Sequence, residues 1–419
     1  MGSNKAEYWK PIIDRIKSRV SAWKVRWLSL SDKILLVRSI LSAIPNYFIS
    51  VLQAPSSVFK QIRQIITKFL WCGNMSGLRK FPFISLEDMM HDKNCGGVGL
   101  HNLALRNKAY GGKLIWQMVH KPNNLWCQIM QSKYLDSLDP LRILTALNLP
   151  QGSEIWKFMT ASRHVILDYV FWEINNEHRA LFWEDSWNGL PPLAARQEFL
   201  VFIQIFKDNW GDRVVDYVSQ VDPLSHKVNW KDPSNLPIPD HISLLFNQAV
   251  SDRDVFFFEQ EEKIFWAPGI NGCYSIKDGY LALRNLENNL IKKRAYFFCW
   301  NDCTLPKAGC FSWLALRKRP LTSDRLERFN IAQRFKCLLC GHFFENVDHV
   351  FLQCDFAQDC WLFLLGKLSF SMPLPNSLWD LFEAWPVLHE KSLLAPIWKC
   401  SPSLFVWALW WERNKGIFR

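Results

Sequence analysis

Residues 9–71 read WKPIIDRIKSRVSAWKVRWLSLSDKILLVRSILSAIPNYFISVLQAPSSVFKQIRQIITKFLW, and their periodicity decides the fold class. Ile12, Ile13, Ile16, Val20 and Trp23 recur at the three- and four-residue steps that put side chains on one face of a helix. Ser31 is placed to cap a second helix that buries Ile34, Leu35, Val37, Ile40 and Leu41. Pro45 and Pro55 interrupt the pattern and mark loops. A third helix, from Val58 to Leu70, gathers Ile62, Ile65, Ile66 and Phe69 on one side and ends near Gly73. Helices joined by short loops form a small bundle.

Downstream, NCGGVGL at 94–100 invites comparison with phosphate loops but fits neither standard form. A dinucleotide fingerprint needs G-x-G-x-x-G between strand and helix, and a P-loop needs a closing Gly-Lys-Ser/Thr. The segment therefore reads as a tight turn, and a helix from Leu103 to Val119 continues the bundle. Residues 136–250 mix short apolar runs with Pro-rich connections such as VDPLSHKVNWKDPSNLPIPDH at 221–241, the pattern of a connector. Phe265 and Trp266, then Gly272, Tyr274 and Ile276, read as two short strands around a turn, with a helix starting near Lys277. The expected fold class is mainly α with small β elements (α+β).

At 419 residues the chain has room for about two to four domains. Apolar residues at 49% and charged residues at 21% exclude a disordered tail or a fibrous repeat for most of it. The longest apolar runs, such as Leu404–Trp411, fall short of the roughly 18 residues needed to span a bilayer. The start, MGSNKAEYWKPIIDR, has no apolar core of the secretory kind. An intracellular protein, nuclear or cytoplasmic and without a membrane partner, is expected. Its 12 cysteines are then reduced thiols or metal ligands rather than disulfides.

The net charge of +11 is concentrated at the front, where residues 1–80 hold 14 basic side chains against 3 acidic ones. Over the remaining 339 residues the two signs balance. A local excess recurs at 292–336, with 11 basic residues against 3 acidic. Phosphate backbones attract such clusters through counterion release, and aromatic rings between them stack on unpaired bases. Lys10, Arg15, Lys17, Arg19, Lys24 and Arg26, interleaved with Trp9, Trp23 and Trp27, are one candidate contact set for RNA or DNA. Arg317, Lys318 and Arg319 are a second. The competing reading is a solvated basic helix face whose tryptophans belong to the core.

Cys337, Cys340, His349 and Cys354 stand in the order C-x2-C-x8-H-x4-C. Two thiolates two residues apart bind one ion from a single turn, and a His and a Cys from the next element complete a tetrahedron around Zn2+. Four protein ligands leave no place for a reactive water, so the expected zinc is structural and no catalytic residue is assigned. His342 is a nearby spare that could take the place of His349.

Several segments occur in one order that resembles a known family, the C-terminal half of plant non-LTR, LINE-type retrotransposon reverse transcriptases. They are residues 9–71, GGVGL at 96–100, NKAYGGKLIW at 107–116, LWCQIMQSKY at 125–134 and FWEDSWNGLPPL at 182–193. They continue with W-x5-G-x-YSIK-x2-Y at 266–280, PKAGCFSWLALRKRPLTSDRL at 306–326 and CLLCGHFFENVDHVFLQC at 337–354, where Glu345 stands at the family's acidic position. The resemblance implies a basic, thumb-like helical region at 1–135 that follows a polymerase palm, and a connector at 136–290. It further implies a reverse transcriptase zinc-binding domain at 291–385 and, at 386–419, the segment that precedes a ribonuclease H domain in some relatives. The family polymerises through paired aspartates in an aromatic-x-Asp-Asp motif that this sequence does not contain. The expectation is a noncatalytic, zinc-binding fragment that grips RNA or DNA, with a protein partner as a possible source of the palm. The alternative is a decayed transposon remnant that serves at most as a protein-interaction module.

Overall fold

The computed structural model describes residues 6–23, 27–72, 83–135, 143, 151–173, 218–221, 228–230, 263–287, 292–388 and 392–416. Among the described residues the chain is mainly helical with two small antiparallel pairs of strands, the expected class. It divides into two compact units that are not consecutive in sequence. The first comprises Met1–Asn46, Pro55–Leu103 and Asn289–Arg419; the second comprises Tyr47–Ala54 and Ala104–Asn288. The basic N-terminal helices and the Cys/His segment, separate regions in the sequence reading, therefore share the first unit.

In the first unit the Lys10–Ala22 helix carries Pro11 in its first turn, where a missing N–H costs nothing. It buries Ile12, Ile13, Ile16 and Val20, and it packs on the Ser56–Cys72 helix. Trp23, just past its end, lies against Phe69 with ring centroids 5.2 Å apart. The next helix, Leu30–Leu36, is capped by Ser29 and not by Ser31. Ser29 Oγ accepts the Asp32 N–H at 3.3 Å, and the Asp32 carboxylate accepts the Ser29 N–H at 2.9 Å. That reciprocal box needs an acid three residues on; Ser29 has Asp32, whereas Ser31 would have only Ile34. The Ser29 hydrogen bonds hold the Asp32 carboxyl below its usual range. A π-helical turn, Val37–Leu41, follows. Ile34, Val37 and Leu41 are buried, while Leu35 and Ile40, expected in the core, are exposed because they fall off that stripe. Buried Lys33 donates from Nζ to the Leu70 carbonyl at 3.4 Å, placing a cation at the C-terminus of the Ser56–Cys72 helix.

The Pro306–Leu316 helix packs on both the Leu30–Leu36 and the Ala395–Lys415 helices. The latter contains Pro402, which lacks the N–H that would bind the Trp398 carbonyl four residues earlier. The Trp385 indole supplies the missing donor, from Nε1 to that carbonyl at 3.3 Å. The glycine-rich segment is the tight turn expected, with Gly96 at φ 90° and Gly99 at φ 70°. The amides from Cys95 to Leu100 are spent internally: Cys95 and Gly97 on Asp92, Gly96 on Lys93, Val98 and Leu100 on Met89, Gly99 on His91. Those N–H groups are not left to cradle a phosphate. The Gly96 carbonyl accepts from the Trp313 indole at 2.8 Å, and a Cβ at Gly96 would stand 2.7 Å from the Tyr296 ring.

The second unit is organised by the Leu103–His120 helix from Ala104 onward. Asn107 stitches the 47–54 segment to it through three bonds. Its Nδ2 donates to the carbonyls of Ile49 at 2.6 Å and Leu52 at 2.9 Å, and its Oδ1 accepts the Ala54 N–H at 3.1 Å. Gly112 permits close approach of Tyr274, whose hydroxyl donates to the Ala109 carbonyl at 2.8 Å. Val170–Glu173 pairs antiparallel with Lys263–Trp266, from Val170 opposite Trp266 to Glu173 opposite Lys263. The second strand expected at 272–276 does not form. Ile270–Gly272 is a short 3-10 turn, and a helix runs from Ile276 to Glu287. Ser275 decides this, because its Oγ accepts the Asp278 N–H at 3.1 Å and opens the helix as an N-cap. Val218–Val221 and Val228–Trp230 make the other strand pair. FWEDSWNGLPPL at 182–193 lies outside the described residues.

Candidate metal centre

The four residues of the C-x2-C-x8-H-x4-C pattern converge. One ligand atom from each of Cys337, Cys340, His349 and Cys354 lies within 4.8 Å of the other three. Cys337 and Cys340 sit on a tight hairpin: the Cys337 N–H donates to Phe343 at 2.7 Å, and Gly341, at φ 75°, donates to Cys337 at 2.8 Å. Lys336 and Phe344 close that hairpin as an antiparallel bridge. His349 and Cys354 flank a π-helical turn in which the Cys354 N–H donates to His349 at 2.8 Å. Five residues apart, they would diverge on an α-helix; the wider turn brings both to one side. Asn346 Oδ1 accepts the His349 N–H at 2.9 Å and fixes where that turn begins.

Tetrahedral zinc with bonds of about 2.3 Å to sulfur and about 2.0 Å to nitrogen requires S···S edges near 3.8 Å and S···N edges near 3.5 Å. The Cys337 and Cys354 sulfurs are 3.9 Å apart, and Cys340 Sγ is 3.4 Å from His349 Nε2. The donor set and these edges fit Zn2+. Cys337, His349 and Cys354 are buried, and Cys340 is partly exposed. The hydrogen bond between the two sulfurs holds the Cys337 thiol well below its ordinary range and pushes Cys354 up. His342, the spare of the sequence reading, is exposed and lies 3.9 Å from Asp355.

Behind the cluster stands a buried ion pair. Glu345 accepts from Arg413 Nε at 3.0 Å and Nη2 at 2.5 Å, and neither side chain is more than 3% exposed. Glu345 Oε1 also accepts the Ser323 N–H at 3.0 Å. Ser323 in turn exchanges side-chain hydrogen bonds with both backbone groups of Phe335, at 2.9 and 3.1 Å. The chain entering Cys337 is thus held from the far side. Arg413 was missed by the sequence reading, although it had a signal: it continues the buried stripe Trp398, Val406 and Leu409, where a charge needs a partner.

The candidate nucleic-acid contacts distribute unevenly. Lys10, Arg15, Lys17 and Arg19 are exposed on the Lys10–Ala22 helix, flanking its buried stripe on both sides. Lys17 lies 3.6 Å from Asp14. Lys24 and Arg26 are outside the described residues. Arg317 is partly buried and meets Asp88 at 3.6 Å, and Lys318 meets Asp348 at 2.8 Å; Arg319 is exposed. Of the interleaved tryptophans, Trp9 is buried and Trp27 is 81% exposed. No described helix is long and apolar enough to cross a membrane.

Residues 274–361, which contain the whole cluster, match the family described as zinc-binding in reverse transcriptase. That match and the four converging ligands define the class of the segment. The chain is 23% identical over 97% of its length to an Arabidopsis thaliana protein named "Putative ribonuclease H protein", of which it spans 64%. It is also 22% identical over 36% of its length to an "Uncharacterized mitochondrial protein" of the same plant, covering 99% of that protein. With the ordered segments of the sequence, these likenesses mark the chain as similar to plant LINE-type reverse transcriptases, and it spans a little under two thirds of the length of the first of these proteins.

Proposed function

We propose that the chain is a zinc-stabilised module that binds RNA or DNA in the service of reverse transcription, and that it contributes grip rather than nucleotidyl transfer. The observation that carries this reading is the four-ligand cluster inside a segment of the reverse-transcriptase zinc-binding family, in the same compact unit as the exposed basic helix Lys10–Ala22. Cys337, Cys340, His349 and Cys354 hold the ion, which cross-links the 336–344 hairpin to the turn at 349–354. A closed coordination shell supplies structure and leaves no open position for a substrate. Lys10, Arg15, Lys17 and Arg19, with Lys24, Arg26 and Arg319, supply the positive charge for phosphates. Arg317 and Lys318 act mainly within the fold, through Asp88 and Asp348. Nucleotidyl transfer needs paired carboxylates for two metal ions, and the sequence offers no aromatic-x-Asp-Asp motif for them.

The test is fluorescence anisotropy of the purified chain with a labelled RNA hairpin and with duplex DNA across a salt series. Affinity should fall steeply with salt, and replacing Arg15, Lys17 and Arg19 by Ala should weaken binding and reduce the salt slope by up to about three. Binding that is absent at low salt, or insensitive to salt, overturns the reading and leaves the interaction-module alternative.

A further inference from the structure

The hairpin that carries the first two ligands also carries two phenylalanines that the fold does not use. Phe343 is 62% exposed and Phe344 is 53% exposed, adjacent in sequence and at the base of a turn of only a few residues. Aromatic rings normally bury their area, so two exposed on one short hairpin call for an occupant. Their positions are fixed. The Phe343 carbonyl accepts the Cys337 N–H, the Phe343 ring lies 5.7 Å from that of His349, and Phe344 is bridged to Lys336. The Arg334 guanidinium stands over the Phe344 ring, 4.9 Å from its centroid. Arg334 and Lys336 are both exposed, the Glu345 carboxylate next to Phe344 is buried and taken up by Arg413, and Asp355 lies 3.9 Å from His342.

The geometry points to a site for unpaired nucleobases of a single-stranded nucleic acid on this hairpin, a step that rests on the nucleic-acid reading above. Phe343 and Phe344 offer faces for stacking, and Arg334 and Lys336 neutralise the phosphates that flank the stacked bases. The charge selects the occupant, because an apolar protein surface would leave Arg334 and Lys336 unpaired as it covered the rings. A duplex hides the faces of its interior bases inside the stack, so the preference is for single strands. Because the rings ride on the same turn as Cys337 and Cys340, the metal pre-organises them, and little side-chain freedom remains to be lost on binding.

The experiment compares two fluorescent strands of equal length, oligo(dT) and its abasic counterpart, which keeps the phosphates and lacks the bases. The full chain should bind oligo(dT) about tenfold or more tightly than the abasic strand. Phe343→Ala combined with Phe344→Ala should abolish that preference while leaving abasic affinity, salt slope and zinc content unchanged. Should Phe343→Ala disturb the neighbouring His349 and release zinc, Phe344→Ala alone carries the same test from a position outside the ligand set. Equal affinity of the wild-type chain for both strands, or a preference that survives the variants, overturns the site while leaving the proposed function standing. Loss of self-association in the variants with strand preference intact assigns the rings to a second copy of the chain and overturns it too. Absence of any salt-dependent binding overturns both.

Discussion

The Arg413 guanidinium and the Glu345 carboxylate, 68 residues apart, form a buried two-pronged pair directly behind the Cys337–Cys354 segment. One partner belongs to the loop between the two ligand pairs, and the other to the last turns of the Ala395–Lys415 helix. Trp410 and Phe335 cover the guanidinium at 4.8 and 5.7 Å from their ring centroids, which excludes water and raises the cost of separating the charges.

Removing one member of such a pair strands the other. Arg413→Met should cost about 3–5 kcal/mol of unfolding free energy, and Glu345→Met a similar amount, because each leaves the other charge buried without its partner. The double variant Glu345→Met, Arg413→Met should be markedly more stable than the two single losses sum to. Urea denaturation of the three variants measures the coupling; additive losses would show that the pair is not the unit described here.

The metal cluster predicts one Zn2+ per chain by elemental analysis. Cys337→Ser or Cys354→Ser should bring that below one half, and chelation should lower the thermal midpoint of the wild-type chain. His342→Ala should change neither, since that ring is exposed and is not among the four converging ligands. Full zinc retention by the cysteine variants would disprove the ligand set.

Asn107→Ala should destabilise the second unit by about 2–4 kcal/mol, because it leaves two carbonyls and one N–H without their partner. The sensitive readout is hydrogen exchange at the Ala54 amide. That amide should exchange much faster in the variant, while amides in 306–316 keep their protection.

His120 gives the second unit a pH dependence. Burial holds its imidazole below the ordinary value of 6.5, with Nε2 3.2 Å from the Ile264 carbonyl and the ring stacked on Trp116. The folded chain keeps His120 neutral at a pH where the unfolded chain protonates it. Its contribution is therefore complete above about 6.5 and is lost as pH falls from there through the folded value. The urea midpoint should drop between pH 7.5 and pH 5.5, and His120→Gln should flatten part of that slope. An unchanged slope would place the titration elsewhere.

What the sequence discloses depends on how local the cause is. The Lys10–Ala22 and Ser56–Cys72 helices follow from apolar spacing, and the metal cluster follows from ligand types and intervals, because both are written within a few turns of chain. The cap at Ser29, where Ser31 is expected, is also written locally, since only Ser29 has an acid three residues on. The strand partner of Lys263–Trp266 is another matter. It lies at Val170–Glu173, some ninety residues away, and nothing in FW at 265–266 names it. Charge is the least legible of all: RKR at 317–319 reads as one basic cluster, yet Asp88 and Asp348 claim two of its members from distant segments.

The interrupted order of the two units sets a schedule for synthesis. Ile34, Val37 and Leu41 leave the ribosome early, but the Pro306–Leu316 helix that packs on the Leu30–Leu36 helix follows only after residues 104–288 have been made. At about 5–20 residues per second, that is a wait of roughly 10–40 s. The second unit, once its last helix Ile276–Glu287 emerges, has all its parts and can close while the first is still incomplete. Of the two units, the one with the earlier helices is thus completed later, and those helices are exposed to wrong partners for the interval in between.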